Sequence, residues 1–192
     1  DHVIFHLDDG APLVYHDPRR FGIVLALTAT QLKNCVWLQG LGVEPLSADF
    51  DVDLLAAACK GRQRPIKTLL LDGHVVVGVG NIYASEALWH AGISPRKMAR
   101  RLTRLQCDAL ASSIVGILAE AIECGSTVSL NFSGEGERDG LFYYGSQDEE
   151  EGYDERLMVY DGEGEPCERC ATPIRKIVQA ARSTFFCPKC QR

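Results

Sequence analysis

No apolar run in these 192 residues approaches the ~20 needed to cross a bilayer, and no signal-peptide pattern opens the chain. Neither a membrane partner nor a secreted protein is therefore expected. Positive charge is also in short supply: 20 Lys and Arg stand against 26 Asp and Glu, a formal net charge of −6. Taken whole, that balance argues against a nucleic-acid partner. Divided by segment, it does not. Residues 133–165 hold twelve acids against two bases, residues 166–192 hold six bases against one acid, and the other 132 residues sum to −1. One acidic stretch masks a basic tail, and the local field decides where a phosphate chain can sit.

Cysteine is not scarce. Cys167, Cys170, Cys187 and Cys190 form two Cys-x-x-Cys pairs around a basic stretch able to pair into two strands. This is the spacing at which a hairpin closes four thiolates around one structural Zn²⁺. Disulfides would fit a small secreted scaffold, but the large non-cysteine core and the scattered remaining cysteines do not. Cys35, Cys59, Cys107 and Cys124 read as reduced core residues of a cytosolic protein.

Alternation of Val3, Phe5 and Leu7, a turn at Asp8-Asp9-Gly10, then Leu13-Val14-Tyr15 predicts a hairpin, with Phe21–Leu27 a further strand. Lacking an initiating Met and opening in mid-pattern, the chain is expected to begin inside a β-domain. Helices follow. Thr28-x-x-Gln31 is a capping box for a helix to about Leu38. Residues 51–60 are helical, and Pro65 suits the first turn of a helix through Leu71. Asn81 is placed to cap a helix ended by Gly92, and Thr103-x-x-Gln106 opens a long one stopped by Gly125. Residues 133–156 read as loop, and Met158-Val159-Tyr160 as a strand leading into the metal hairpin.

Three motifs carry chemistry. In GVGNIYASE, residues 78–86, Gly78 and Gly80 allow close approach of backbone, and Asn81 lies where helix amides and the positive dipole end face outward. That suits a phosphate, and equally a glycine turn packing two helices. In DPRRFG, residues 17–22, Arg19 and Arg20 beside Phe21 supply charge and an aromatic wedge for kinked duplex. The same residues also fit a strand with a buried Phe and solvated arginines. Arg182, near the tip of the metal hairpin with Gln179, Ser183 and Thr184 around it, suits a phosphate contact.

Together the segments HVIFHLDDGAPLVYHDPRRFG, LLLDGHVVVGVGNIYASEALWHAGISP and VYDGEGEPCERCATPIRKIVQAARSTFFCPKCQ closely resemble the formamidopyrimidine-DNA glycosylases and the related endonuclease VIII enzymes. The resemblance implies a mixed α and β, multi-domain fold. Residues 1–27 would be the last strands of a β-sandwich. Residues 28–156 would be a helix–two-turn–helix domain with the acidic loop 133–156, and residues 157–192 a four-cysteine zinc hairpin. It implies a cytoplasmic monomer that binds damaged double-stranded DNA, flips out oxidised purines, cleaves the glycosidic bond and nicks the strand. DNA contacts would be Arg19, Arg20, Phe21, Arg62, Lys67, Gly80, Asn81 and Arg182. Arg19 would face the estranged base and Phe21 would be the wedge, while Arg182 would act in the second elimination. An arginine's pKa above ~12 makes charge stabilisation its first role there. The family's nucleophile is an amino-terminal proline amine followed by Glu; here residue 1 is Asp and all eight prolines are internal. A DNA-binding fragment without base release is the expectation, the alternative being a non-catalytic helical and zinc-ribbon nucleic-acid-binding module. Two further departures stand out: Gly125-Ser126-Thr127-Val128 replaces the family's Gly-Gly-Thr-Thr, and Asp148–Glu151 is unusually acidic.

Overall fold

The computed structural model describes residues 3–8, 10, 12–17, 20–123 and 157–192. The chain divides into two compact units, residues 1–39 and 40–192. In the first, β1 (Val3–His6) pairs antiparallel with β2 (Pro12–Tyr15), Val3 opposite Tyr15 and His6 opposite Pro12. The expected third strand at Phe21–Leu27 does not form. Among the described residues it has no ladder partner, and Ile23, Val24 and Leu25 are about half exposed. Helix α1 (Ala29–Lys33) carries the full Thr28/Gln31 capping box but ends well before Leu38. Asn34 terminates it, its side chain bonding back to the Thr30 carbonyl at 3.2 Å.

The second unit is a helical assembly joined to a metal hairpin. Asp51 caps α2 (Val52–Cys59) by accepting the Leu54 N–H, and Pro65 leads α3 (Ile66–Leu70). Helix α4 (Asn81–His90) follows a turn in which Gly78 has φ +75°. Gly80, not Asn81, is its cap; Asn81 is the first helical residue, so its side chain is released to reach outward. Gly92, at φ +68°, ends α4 as its position suggests. Thr103 and Gln106 exchange the two capping-box bonds at the head of α5 (Arg104–Glu123). Leu55, Ile66, Leu70, Leu88, Leu110 and Ile114 meet in the core between the four helices.

By length and composition α5 is apolar enough to cross a bilayer, contrary to the reading of the bare sequence. Its apolarity has a local use: Cys107, Leu110, Ala111 and Ile114 pack into the helical core. The stop expected at Gly125 and the acidic stretch 133–156 lie outside the described residues.

Strand β3 (Arg175–Gln179) pairs with β4 (Arg182–Phe186) through a two-residue turn, Ala180-Ala181, both with positive φ. A smaller core of Val159, Cys167, Ile174, Phe185 and Cys187 is completed by Trp89 of α4. Met158–Tyr160 is not a strand. Its three N–H groups go to the carboxylate of Glu86 instead of a ladder, at 2.8, 3.0 and 2.8 Å.

Candidate metal centre and nucleic-acid interface

The four sulfurs of Cys167, Cys170, Cys187 and Cys190 lie within 4.8 Å of one another. A tetrahedron with metal–sulfur bonds of about 2.3 Å has edges of about 3.8 Å. The Cys170–Cys187 and Cys167–Cys190 separations, 3.5 and 4.0 Å, bracket that edge. The donor set therefore fits one structural Zn²⁺. The thiols pull in opposite directions: hydrogen bonds from Thr172 lower Cys170 to about 6, while its cage neighbours push Cys190 up to about 12. Four thiolates in one cage repel, and a dication removes that conflict.

The hairpin is fastened along the length of α4. At the carboxyl end, the Arg169 guanidinium donates to the Trp89 and His90 carbonyls and stacks on the Trp89 ring, 3.7 Å from its centroid. The Trp89 indole N–H points at Cys167 Sγ, 3.4 Å away. Gln191 is buried; it donates to the Ile93 carbonyl and accepts the Cys187 N–H. In the middle of α4 stands Glu86. None of these was singled out from the sequence. Glu86 carried a readable signal, because a carboxylate on an otherwise apolar helix stretch must find donors or stay in water.

At the amino end of α4, Asn81 and Lys67 meet the hairpin next to Arg182. Asn81 Nδ2 donates to the Ser183 carbonyl at 3.0 Å and lies 3.4 Å from the Tyr160 hydroxyl. The start of α4 thus sits beside the residue that follows Arg182. Arg182 is exposed at the start of β4, as are Gly80 and Arg62. Lys67 behaves differently from a surface contact. It is fully buried, and its ammonium donates to the Thr184 hydroxyl at 2.8 Å and the Ser183 carbonyl at 3.2 Å. Burial first, and the Arg182 charge second, push its pKa down to about 7. Gln179 also turns inward, donating to the Pro95 carbonyl.

The arginine–phenylalanine corner belongs to the first unit. Arg20 has φ +55° and closes a turn onto the Asp17 carbonyl, whose side chain accepts the Gly22 N–H at 2.6 Å. Any side chain at Gly22 would collide with the Tyr15 ring. Phe21 is 78 % exposed. Arg19 lies outside the described residues.

Comparison with known proteins agrees with this geometry. Residues 41–133 match the model described as the formamidopyrimidine-DNA glycosylase H2TH domain, and residues 164–192 the zinc finger found in FPG and IleRS. The chain is 50 % identical to a formamidopyrimidine-DNA glycosylase of Thiobacillus denitrificans and 45 % to one of Cupriavidus pinatubonensis, covering all of this chain and 66 % of each relative. It superposes on the MutM (Fpg) protein of Thermus thermophilus with a TM-score of 0.78 at 39 % identity, over 95 % of this chain and 65 % of that one. The Lactococcus lactis Fpg bound to abasic-site DNA gives 0.69 at 34 % identity, over 86 % and 57 %. The chain thus spans 57–66 % of the length of these relatives.

Proposed function

This chain belongs to the formamidopyrimidine-DNA glycosylase family, and from that premise we propose that it forms the damaged-DNA-binding part of a base-excision repair enzyme of the bacterial cytosol. One observation supports the reading most: the bond from Asn81 to the Ser183 carbonyl brings the start of α4 alongside Arg182. A backbone phosphate seated there meets the amino end of α4, with its positive dipole end, and a guanidinium. Asn81 Oδ1 is an acceptor and cannot serve a phosphate. The second N–H of Nδ2 can, by giving up its long contact with Tyr160. Lys67 acts through the hairpin, holding Ser183 and Thr184 and so aiming Arg182. Bound Zn²⁺ would supply no reaction chemistry; it would close the cage that keeps β4 in place.

In the whole enzyme we assign residues 1–27 to the end of a β-sandwich, 28–156 to the helical domain and 157–192 to the zinc hairpin. Arg20 and Phe21, with Arg19, would enter the duplex opposite a flipped oxidised purine, and Arg62 and Gly80 would line the phosphate track. Base release through a Schiff base on a terminal proline amine, then β,δ-elimination with Arg182 stabilising phosphate charge, completes the assignment. The polypeptide of these 192 residues has Asp at position 1, so borohydride reduction on abasic DNA is expected to trap no adduct.

The test is equilibrium binding to a duplex with one abasic-site analogue across a salt series. Arg182→Ala is expected to weaken binding and lower the log–log salt slope by about 0.9, the value of one charged phosphate contact. Asn81→Ala is expected to weaken binding with the slope unchanged, because Asn carries no charge. An unaltered slope and affinity for Arg182→Ala would overturn the reading.

A further inference from the structure

The part of the chain whose charges nearly cancel hides a second basic surface. Residues 60–64 and 96–104 contain eight cations and no acid. Far apart in sequence, the two segments lie side by side in the fold. The Ile66 N–H donates to the Lys97 carbonyl at 2.8 Å, the Ala99 N–H to the Arg64 carbonyl at 3.0 Å, and the Arg100 N–H to the Arg62 carbonyl at 3.1 Å. Pro65 and Met98 form an antiparallel bridge between them. Ile66 and Ala99 are fully buried, so the segments cannot part without opening the helical core.

Like charges held this close repel, and little among the described residues offsets them. Asp72 pairs with Arg64 at 2.7 Å, and Asp53 pairs with Arg104, on which Asp51 and Asp108 also act. Lys60, Arg100 and Arg101 are exposed and have no ion pair among the described residues. Lys60 and Arg100 share with Arg104 the wall of a recess of about 240 Å³, whose other lining residues are apolar. Cations gathered against their own repulsion on a concave surface suit a polyanion. This surface also adjoins the site described above. Gln179, opposite Arg182 in the hairpin, donates to the Pro95 carbonyl, and the next residue, Arg96, lies over the Phe186 ring at 5.3 Å. We propose that Lys60, Arg100 and Arg101 form a second phosphate track, which grips undamaged duplex beside the lesion and reads neither base nor damage.

The experiment measures binding of the zinc-loaded chain across a salt series. The probes are an undamaged duplex of about 30 bp, three helical turns, and the same duplex with one abasic-site analogue. In a variant carrying Lys60→Ala, Arg100→Ala and Arg101→Ala, the log–log salt slope is expected to fall in magnitude by about 0.9 per lost contact, about 2.7 in all, on both duplexes alike. The ratio of the two affinities is expected to keep its wild-type value. All three side chains are exposed, and an unchanged helical circular dichroism signal checks that the variant folds. Arg100→Lys with Arg101→Lys keeps the charges and is expected to keep the slope. An intact slope on undamaged duplex in the triple variant, a loss confined to the damaged duplex, or a loss in the lysine variant would overturn the second track. A rise in affinity would overturn it too, and would make the chain's own acidic stretch the occupant of this surface. A wild type that binds neither duplex would overturn the DNA-binding reading on which the track rests. Loss in the triple variant with Arg182→Ala unaffected would instead keep this track and remove the one at Arg182.

Discussion

Lys67 is the residue whose environment departs furthest from its type, and the departure has a sign. An unfolded lysine titrates near 10.4, whereas burial holds Lys67 at about 7. Between those values the unfolded chain binds a proton that the folded protein does not, so stability rises with pH across that window. Below about pH 7 both states are protonated and the folded state carries the whole cost of the buried charge. Comparing wild type with Lys67→Met by urea unfolding cancels the other titrations. The difference is expected to shift in favour of wild type from pH 7 to 10, by up to about 1.4 kcal/mol per pH unit. A flat difference would mean that the ammonium is solvated. Glu86 is the complementary case, a buried acid with three N–H donors. Glu86→Gln retains shape but turns an NH₂ group toward one of them, and is expected to cost about 1–3 kcal/mol in the same assay. Sequence marked Lys67 only as one cation among several. Its burial follows from a hairpin more than a hundred residues away, which no local pattern encodes.

At the level of elements, what was legible depended on where the backbone bonds go. Helices announce their ends with their own side chains, so Thr28/Gln31 and Thr103/Gln106 were readable in place. Strands need a partner that the local sequence does not name. Phe21–Leu27 has strand composition but joins no ladder among the described residues, while the N–H groups of Met158–Tyr160 went to a carboxylate. The metal hairpin was legible because four cysteines fix its closure. Its tip was not. Ala180 and Ala181 hold φ of +49° and +58°, a turn normally given to Gly or Asn because Cβ crowds the carbonyl at about 1–2 kcal/mol per residue. Both are exposed. Replacing both with Gly is therefore expected to raise the midpoint of hairpin melting, after Gly's own entropy cost of about 0.5–1 kcal/mol per site. Unchanged or lower melting would show that the turn relaxes in solution. Because this turn sets the register of Arg182, the double variant also tests whether tip geometry matters for DNA affinity.

Across the whole molecule, the open issue is how far the helical core depends on the metal. Thiolate closure and helix packing suggest two separate sources of stability, with loss of Cys187 melting only the hairpin. The cores are indeed distinct, yet the small one is incomplete without Trp89, and α3 and α4 hand it Lys67, Asn81 and Glu86. Removing the metal should then leave helices that have lost partners for three polar side chains but none of their own core. Chelation is expected to preserve most of the 222 nm helical signal while lowering the helical melting temperature by several degrees. Trp89, 4 % exposed, should shift its emission to the red, and Trp37, already 62 % exposed, should not. The Lys67 ammonium, once uncovered, should return toward an ordinary lysine pKa, which removes the pH dependence described for the intact protein. Loss of the helical signal in step with the metal would instead make residues 40–192 one cooperative unit. An unshifted tryptophan spectrum would mean that the hairpin stays docked without its staple. That second result would move the source of the proposed DNA-binding geometry from the cage to the helix–hairpin seam.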